Sequence, residues 1–183
     1  MRQRLRQARR ALTPAQRRQA AARAARYLLC VLRGLRPRRI AVYLATGAEL
    51  DCRPLIEAAR AQGFSLYVPR LRPGGLHFVR LDPDTPLRRR RLGLLEPVRA
   101  VRLPVNRLAA VLLPLLGFDA AGQRLGQGGG HYDRVLGPQR LRCRPRRIGY
   151  AYATQQVARV PAAAWDVPLH CIVTDRGIQW PTG

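Results

Sequence analysis

Four glycines fall within the five residues 126–130, and histidine, tyrosine, aspartate and arginine follow them directly in the segment RLGQGGGHYDRVL (124–136). Glycine has no side chain, so backbone N–H groups in such a loop can approach an anion closely. Asp133 cannot itself attract a phosphate, and its expected task is to hold a divalent cation such as Mg²⁺ that bridges phosphate oxygens. Arg124 and Arg134 could flank the phosphates through paired hydrogen bonds. The segment therefore predicts a site for a metal-bound phosphate ligand.

Simpler interpretations of the same residues stay open at this level. The loop lacks the GK[ST] element of a Walker loop and comes late in the chain for a GxGxxG dinucleotide turn, so its glycines could merely relieve steric crowding. Glu49 could be an ordinary turn acid, and Asp166 could start a turn before Val-Pro. Arg2 and Arg6 lie among many arginines, which is typical of a solvated basic helix.

The elements around the loop alternate between apolar strands and amphipathic helices. The loop follows an apolar segment at 108–116 and precedes a short helical pattern at 131–137, as expected where ligands collect beyond the carboxyl ends of parallel strands. The alternation predicts an α/β protein, a single-domain three-layer sandwich with a mostly parallel central sheet flanked by helices. The predicted helices are 2–11, 14–32 and 53–63, and the predicted strands are 39–46, 64–71, 75–81, 108–116, 147–154 and a hairpin at 169–180 that turns at 175–177.

The net charge of +24 arises from 34 basic residues, all of them arginine, against 10 acidic ones. A field of this strength attracts phosphate-bearing partners, including nucleic acids. Codon bias in a GC-rich genome also favours arginine over lysine, and the complete absence of lysine favours this second explanation.

The sequence contains no apolar run near the ~20 residues that a membrane span needs. The N-terminus is rich in arginine and alanine and lacks the features of a secretory signal. The four cysteines are scattered without a CxxC pair, which predicts reduced thiols rather than disulfides or a zinc site. We therefore expect a cytoplasmic protein with no membrane partner.

Residues 118–134, FDAAGQRLGQGGGHYDR, resemble the FDxxGxRLGxGxGxYDR signature of the 5-formyltetrahydrofolate cyclo-ligase (5,10-methenyltetrahydrofolate synthetase) family. The long pattern with fixed spacing makes this resemblance specific. It extends over almost the whole chain, since four further segments resemble parts of that family: RQRLRQARRALTPAQRR (2–18), VYLATGAELDCRPLI (42–56), LGLLEP (92–97) and VPAAAWDVPLHCIVTDRGI (160–178).

The resemblance implies that residues 1–183 form one cyclo-ligase-like domain that closes a ring in a reduced folate. In that family 5-formyltetrahydrofolate becomes 5,10-methenyltetrahydrofolate, with ATP consumed, Mg²⁺ required, and ADP and phosphate released. Phosphoryl transfer to the formyl oxygen makes that oxygen a leaving group, so a neighbouring nitrogen can attack. Such chemistry needs positioning and charge neutralisation more than a protein nucleophile.

The resemblance also assigns roles to individual residues. Leu44 and Glu49 would contact the folate, with Glu49 accepting hydrogen bonds from the pterin nitrogens, and Asp133 and Asp166 would hold the metal. Arg134 would act in catalysis together with Arg124 and Tyr132. The expected ATP-binding residues are Arg2, Arg6, Arg124, Leu125, Gly126, Gln127, Gly128, Gly129, Gly130, His131 and Tyr132.

Several positions depart from the family pattern. Arg2 stands where the family has lysine, His131 where a tyrosine is usual, and Gln127 where an aromatic or basic residue is more frequent. Trp165 and His170 replace a frequent histidine and an aspartate, respectively.

A function of another class is also open: an arginine-rich nucleic-acid-binding protein on the same scaffold. Three aspartates argue against this alternative: Asp119, Asp133 and Asp166. The chain has only 10 acidic residues, and a protein that binds polyanions gains nothing from placing three of them in these motifs. We therefore expect a reduced folate and ATP as partners, and no dedicated nucleic-acid partner.

Overall fold

The computed structural model describes residues 1–89, 95–98, 101–137 and 145–181, and its main element is an eight-stranded sheet. The described helices are α1 (Arg2–Ala11), α2 (Pro14–Leu32), α3 (Arg53–Ala61) and α4 (His131–Leu136). The strands are β1 (Arg39–Ala41), β2 (Ser65–Arg72), β3 (Gly75–Arg80), β4 (Leu87–Arg89), β5 (Leu95–Pro97), β6 (Arg102–Leu103), β7 (Ala110–Leu113), β8 (Gly117–Phe118), β9 (Arg124–Leu125), β10 (Arg146–Tyr150), β11 (Cys171–Thr174) and β12 (Gly177–Gln179).

The large sheet has the strand order β12-β11-β10-β7-β1-β2-β3-β6. Its five inner strands, from β11 to β2, are parallel, while β12 at one edge and β3 and β6 at the other are antiparallel to their neighbours. Two small antiparallel hairpins, β4–β5 and β8–β9, lie outside it. The predicted mostly parallel sheet flanked by helices is confirmed.

Helices cover both faces of the sheet. Side chains alternate along β7: Ala110 and Leu112 pack with α2 and α3, whereas Val111 and Leu113 pack with α4. Helix α2 begins at a capping box, in which the Gln16 N–H donates to the Thr13 hydroxyl at 3.2 Å and the Thr13 N–H donates to the Gln16 side-chain oxygen at 2.8 Å. Apolar side chains thus repeat every two residues along the strands and about every 3.6 residues along the helices, as expected from the sequence. These two patterns together produce a three-layer core.

A crevice is expected between β1 and β7 because the chain leaves these two neighbouring parallel strands in opposite directions. From β1 it continues through α3 to β2 on one side, and from β7 it continues to β10 on the other side. In open α/β sheets ligands bind at such a reversal, beyond the carboxyl ends of the strands. The segments that leave β1, β7 and β10 there are the turn at 46–49, the glycine loop at 126–130 and residues 151–155.

Three strands are shorter than predicted, and tertiary contacts draw the chain out of the sheet beyond two of them. The predicted strand 108–116 pairs only over Ala110–Leu113. The predicted strand 39–46 pairs only over Arg39–Ala41, and the Tyr43 hydroxyl beyond it contacts the carbonyl oxygens of Leu50 at 3.0 Å and Tyr150 at 3.2 Å. The predicted strand 147–154 ends at Tyr150, and a 3-10 turn follows at Ala153–Gln155.

The segment 82–107 contains β4, β5 and β6, although its richness in proline and arginine favours loop. The buried Glu96 of β5 ties the β4–β5 hairpin to β2, since its carboxylate lies 3.5 Å from the Arg72 guanidinium and accepts from the Leu71 N–H at 3.4 Å. Gly93 of the LGLLEP motif and Arg90 and Arg91 of the arginine run 88–91 lie outside the described residues.

The described cysteines are free thiols, as predicted: Cys30 is exposed, whereas Cys52 and Cys171 are buried. Cys143 lies outside the described residues. Across the part of the chain that the structure covers, we find no helix both long and apolar enough to cross a membrane.

His170 should make stability depend on pH. Its Nδ1 accepts the Arg147 backbone N–H at 2.9 Å, which requires a neutral ring. Burial, followed by the positive charges of Arg147 and Arg146, lowers the pKa of the His170 imidazole from 6.5 to about 4. Between these two pKa values the unfolded chain binds more protons at His170 than the folded chain does. The stability that the neutral, buried His170 contributes is therefore lost as the pH falls from about 6.5 towards 4.

Thermal melts across this pH range test the role of His170. We expect the melting temperature of His170→Gln to fall less steeply with decreasing pH than that of the parent protein. His77→Gln, which replaces a half-buried histidine on β3, should keep the parental slope. Parallel slopes for the parent protein and His170→Gln would contradict the prediction.

Candidate active site

A hairpin holds the start of the glycine loop in place. Strands β8 and β9 pair Gly117 with Leu125 and Phe118 with Arg124. The buried Asp119 carboxylate closes the turn between them by accepting the Gln123 N–H at 2.9 Å, and it also accepts the Val160 N–H at 2.9 Å. Asp119 is therefore a structural acid that joins the loop to the segment containing Asp166.

The loop itself is open where a phosphate would approach. Gly128 has a φ of +106°, and nothing lies within 4 Å of the position that a Cβ would take there. At the neighbouring Gly129 a Cβ would stand 2.8 Å from the His131 ring, so the imidazole already covers that position. The open space beside the backbone at Gly128 leaves room for an oxyanion, as the predicted cradle requires.

Helix α1 brings two of the predicted arginines onto the loop. Arg2 Nε donates to the carbonyl oxygen of Gly126 at 3.2 Å, and Arg6 Nη2 donates to Gln127 Oε1 at 2.8 Å. Both side chains are exposed. Two cations from the start of the chain thus stand beside a loop more than a hundred residues away in sequence.

Helix α4 braces the other end of the loop. Arg134 Nη2 donates to the carbonyl oxygen of Gly129 at 2.9 Å and lies 2.8 Å from His131 Nδ1. Leu125, at the start of the loop, is buried with Leu5 of α1, so it can offer a ligand only its backbone.

A backbone contact brings together the segments of the two predicted metal ligands. Asp133 Oδ1 contacts Arg124 Nη2 in a short ion pair and accepts the N–H of Val167, the residue after Asp166, at 3.2 Å. Asp166 uses Oδ2 to accept the Ala163 N–H at 2.8 Å. These contacts engage one oxygen of each carboxylate.

The described ranges contain no group of three or more His, Cys, Asp or Glu side chains that could hold a metal ion. A cation at Asp133 and Asp166 would therefore take its other ligands from phosphate oxygens and water. Mg²⁺ commonly binds in this way, through one or two carboxylates together with substrate phosphates. The donor set consequently fits Mg²⁺ in the company of a polyphosphate.

A cavity of about 710 Å³ contains both predicted substrate residues, Leu44 and Glu49. The β1 end, the start of α2, α3 and the β4–β5 hairpin surround it. Glu49 Oε2 accepts the backbone N–H of Thr46 at 3.0 Å and the Thr46 hydroxyl at 3.2 Å, so the turn holds the carboxylate in one orientation.

Tyr132 on α4 feels charges from both parts of the predicted site. Burial raises the pKa of the Tyr132 hydroxyl, the negative charge of Glu49 raises it further, and the positive charge of Arg124 lowers it.

Sequence reasoning missed several residues of this region. Tyr43, Tyr152 and Arg17 line the cavity but carried no predicted role. The Tyr152 hydroxyl reaches the carbonyl oxygen of Glu49 at 3.4 Å. The signal for the two tyrosines was their place in the carboxyl-terminal halves of the predicted strands 39–46 and 147–154, towards the edge of the sheet where ligands bind.

Known proteins match the chain over nearly its whole length. The sequence model of the 5-formyltetrahydrofolate cyclo-ligase family matches residues 1–175. The 5-formyltetrahydrofolate cyclo-ligase of Escherichia coli strain K12 is 40% identical over 183 residues, which cover 96% of this chain and 100% of that protein. The enzyme of the same name from Haemophilus influenzae is 37% identical over 88% of this chain and 89% of its own length.

Two solved structures share the fold. The 5,10-methenyltetrahydrofolate synthetase of Aquifex aeolicus superposes with a TM-score of 0.79 at 27% identity, over 100% of this chain and 91% of its own. The synthetase of Mycoplasma pneumoniae superposes with a TM-score of 0.77 at 24% identity, over 95% of this chain and 96% of its own. With the family matched over residues 1–175 and relatives this similar along their full length, the chain belongs to the 5-formyltetrahydrofolate cyclo-ligase family.

Proposed function

We propose that this protein uses ATP and Mg²⁺ to convert 5-formyltetrahydrofolate into 5,10-methenyltetrahydrofolate, releasing ADP and phosphate. The arrangement that carries the proposal lies beyond the carboxyl ends of the parallel strands: an open glycine loop, the Asp133 carboxylate bound to the backbone next to Asp166, and a cavity with Glu49 in its wall. Each part corresponds to one component of the reaction: the phosphates, the metal and the folate.

The nucleotide phosphates lie along the glycine loop in this proposal. The open backbone at Gly128 supports close approach of phosphate oxygens, and the exposed guanidinium groups of Arg2 and Arg6 stand beside it. Arg134 holds the loop through Gly129 and is near enough to neutralise phosphate charge. Asp133 and Asp166 would hold Mg²⁺ together with phosphate oxygens and water.

In this proposal the folate lies in the cavity lined by Leu44 and Glu49. Leu44 supplies an apolar contact, and the Glu49 carboxylate accepts hydrogen bonds from the amino and ring nitrogens of the pterin. Thr46 fixes the carboxylate from behind, so its orientation does not have to be established when the substrate binds.

ATP supplies the phosphoryl group that activates the formyl oxygen, so that this oxygen departs as phosphate when the neighbouring folate nitrogen attacks the formyl carbon and loses its proton. The protein positions the two reactants and neutralises charge. Arg124, held against Asp133, and Arg134 provide positive charge beside the loop. The raised pKa of Tyr132 keeps its hydroxyl protonated at neutral pH, so we assign it the role of a hydrogen-bond donor and not of a base.

The test is optical. Purified protein given MgATP and 5-formyltetrahydrofolate should produce the absorbance of the methenyl product, and omission of ATP or addition of a chelator should abolish it. The absence of any absorbance change, together with tight and salt-sensitive RNA binding, would favour the alternative of a nucleic-acid-binding protein that the charge of +24 suggests.

Glu49→Gln should weaken the enzyme mainly through substrate binding. Glutamine keeps an oxygen for Thr46, so the turn stays intact, but its amide presents an NH₂ group to pterin donors in place of a second acceptor. We expect KM for 5-formyltetrahydrofolate to rise about 10- to 100-fold, the effect of one charge-assisted hydrogen bond, while kcat changes little.

Initial-rate kinetics at saturating MgATP measure the effect of Glu49→Gln. Glu57→Gln is the matched control, because Glu57 is an exposed acid of the same cavity wall without a proposed contact to the folate. An unchanged KM in Glu49→Gln, or an equal rise in both variants, would remove Glu49 from the pterin contact.

A further inference from the structure

Arg9 is a buried cation without a partner. Its side chain lies on α1, and the residue is only 7% exposed. Within the described ranges its Nε and Nη1 atoms are buried and have no hydrogen-bond acceptor, and no acid forms an ion pair with it. Burying a charge costs a great deal of free energy unless the charge is paired, so this arrangement calls for an anion.

Arg9 lies near a second arginine and Tyr152. Helix α1 packs against the 3-10 turn at Ala153–Gln155, which directly follows Tyr152, and Arg17 lines the same cavity as Tyr152. The positive charges of Arg17 and Arg9 accordingly oppose the rise that burial causes in the pKa of the Tyr152 hydroxyl. Arg17 is satisfied, since its Nε donates to the Leu12 carbonyl oxygen at 2.9 Å and its Nη2 donates to the Arg10 carbonyl oxygen at 2.8 Å. Arg9 is therefore the guanidinium at this position that is left to bind a ligand.

Arg9 shares one face of α1 with the arginines of the glycine loop. Arg2, Arg6 and Arg9 are spaced at i, i+4 and i+7, so they form one stripe along the helix. The stripe runs roughly 10 Å along the helix axis, from the glycine loop towards Tyr152 and the turn that carries Glu49. An anion at Arg9 would stand between the proposed nucleotide phosphates and the proposed folate.

We propose that Arg9 binds the phosphoryl group that is transferred, which would be the γ-phosphate while the nucleotide is intact. This inference rests on the proposed function and adds a residue to it. The bidentate guanidinium suits phosphate oxygens, and in a buried position such a contact is stronger than at the surface. The cost of burying the free cation is then offset only in the nucleotide complex.

Nucleotide binding to the parent protein, Arg9→Met and Arg9→Lys tests the assignment. The probes are ADP and an ATP analogue with a non-hydrolysable imide between the β- and γ-phosphates, and calorimetry measures their affinities in the presence of Mg²⁺. We expect Arg9→Met to bind the analogue about 10- to 100-fold more weakly, the effect of losing a charged hydrogen bond, and to bind ADP as the parent does. The affinity of Arg9→Lys for the analogue should lie between those of the parent protein and Arg9→Met.

Arg10→Met is the matched control. Arg10 is the next residue of the same helix and carries the same charge, but its side chain is exposed, so both affinities should stay at the parental values. Melting curves show whether the variants fold, and Arg9→Met without ligand should melt at least as high as the parent because an apolar group replaces an unpaired buried charge.

Each other outcome overturns the inference in a different way. Equal losses for ADP and the analogue, with a lower melting temperature, would assign Arg9 a structural role. Parental nucleotide affinities with weaker binding of 5-formyltetrahydrofolate would mean that the anion is a folate carboxylate. If the parent protein bound neither nucleotide, the proposed function itself would fail, and the assignment of Arg9 would fail with it.

Discussion

Asp133→Asn is expected to lower kcat by roughly 10²- to 10³-fold, the size of effect seen when one electrostatic group is removed from an active site. Asparagine has nearly the same shape and retains an oxygen for the Val167 N–H, which Asp133 Oδ1 accepts at 3.2 Å. The change therefore removes the negative charge needed to hold Mg²⁺ beside Asp166 while leaving the local backbone contact in place.

Removal of this charge also leaves the Arg124 guanidinium without its counter-ion. A freed cation beside the glycine loop favours polyphosphate, so metal-free ATP should bind Asp133→Asn at least as well as the parent. We thus expect a specific combination: turnover collapses, the metal concentration needed for half-maximal rate rises, and nucleotide affinity without metal persists.

Kinetics across a Mg²⁺ titration, with binding of ATP in chelator as the second measurement, would show this combination. Asp84→Asn serves as the control, because Asp84 is an exposed acid with no proposed contact to the metal or the nucleotide. Full activity of Asp133→Asn at low Mg²⁺ would remove the metal role, and loss of metal-free nucleotide binding together with a lowered melting temperature would indicate a structural acid instead.

The parts of the fold that depend on local signals could be predicted from the sequence. The capping box at Thr13 and Gln16 marks the start of α2, and the glycine loop precedes a helix as its pattern indicates. These features depend on residues three or four positions apart, within the reach of one turn of chain. The terminal hairpin likewise turns where predicted, between β11 and β12.

Strand ends and small hairpins could not be predicted in this way because distant contacts decide them. Tyr43 leaves the sheet to contact carbonyl oxygens of Leu50 and Tyr150, and the latter is more than a hundred residues away in sequence. Strands β8 and β9 contain two residues each, too few for any alternation of apolar and polar side chains to indicate a strand.

The candidate site likewise contains some residues that local sequence signals predict and others that only tertiary contacts reveal. Residue types and spacing predicted the glycine loop, and the family resemblance pointed to Arg2, Arg6 and Glu49, which the fold then brings to the same end of the sheet. The pairing of Arg124 with Asp133 and the burial of Arg9 could not be predicted, because the sequence contains 34 arginines and nothing in it singles out these two. Only the packing of α1 in the folded protein shows that Arg9 is buried while its neighbour Arg10 is exposed.

Gly128→Val is expected to raise KM for ATP by at least about 100-fold, since a lost close backbone contact to phosphate is equivalent to one or two charged hydrogen bonds. No protein atom lies within 4 Å of the position of an added Cβ, so we expect the valine side chain to occupy the approach to the backbone. The φ of +106° also strains a β-branched residue, which should cost about 1–3 kcal/mol of stability.

Gly74→Val separates the two effects of Gly128→Val. Gly74 lies in the turn between β2 and β3 with a φ of +89° and equally open space, but far along the chain from the glycine loop. Both variants should lose comparable stability in denaturant titrations, while only Gly128→Val should lose ATP affinity. If both variants bound ATP as the parent does, phosphate could not lie on the backbone at Gly128, and the positive φ there would serve only to turn the chain into α4.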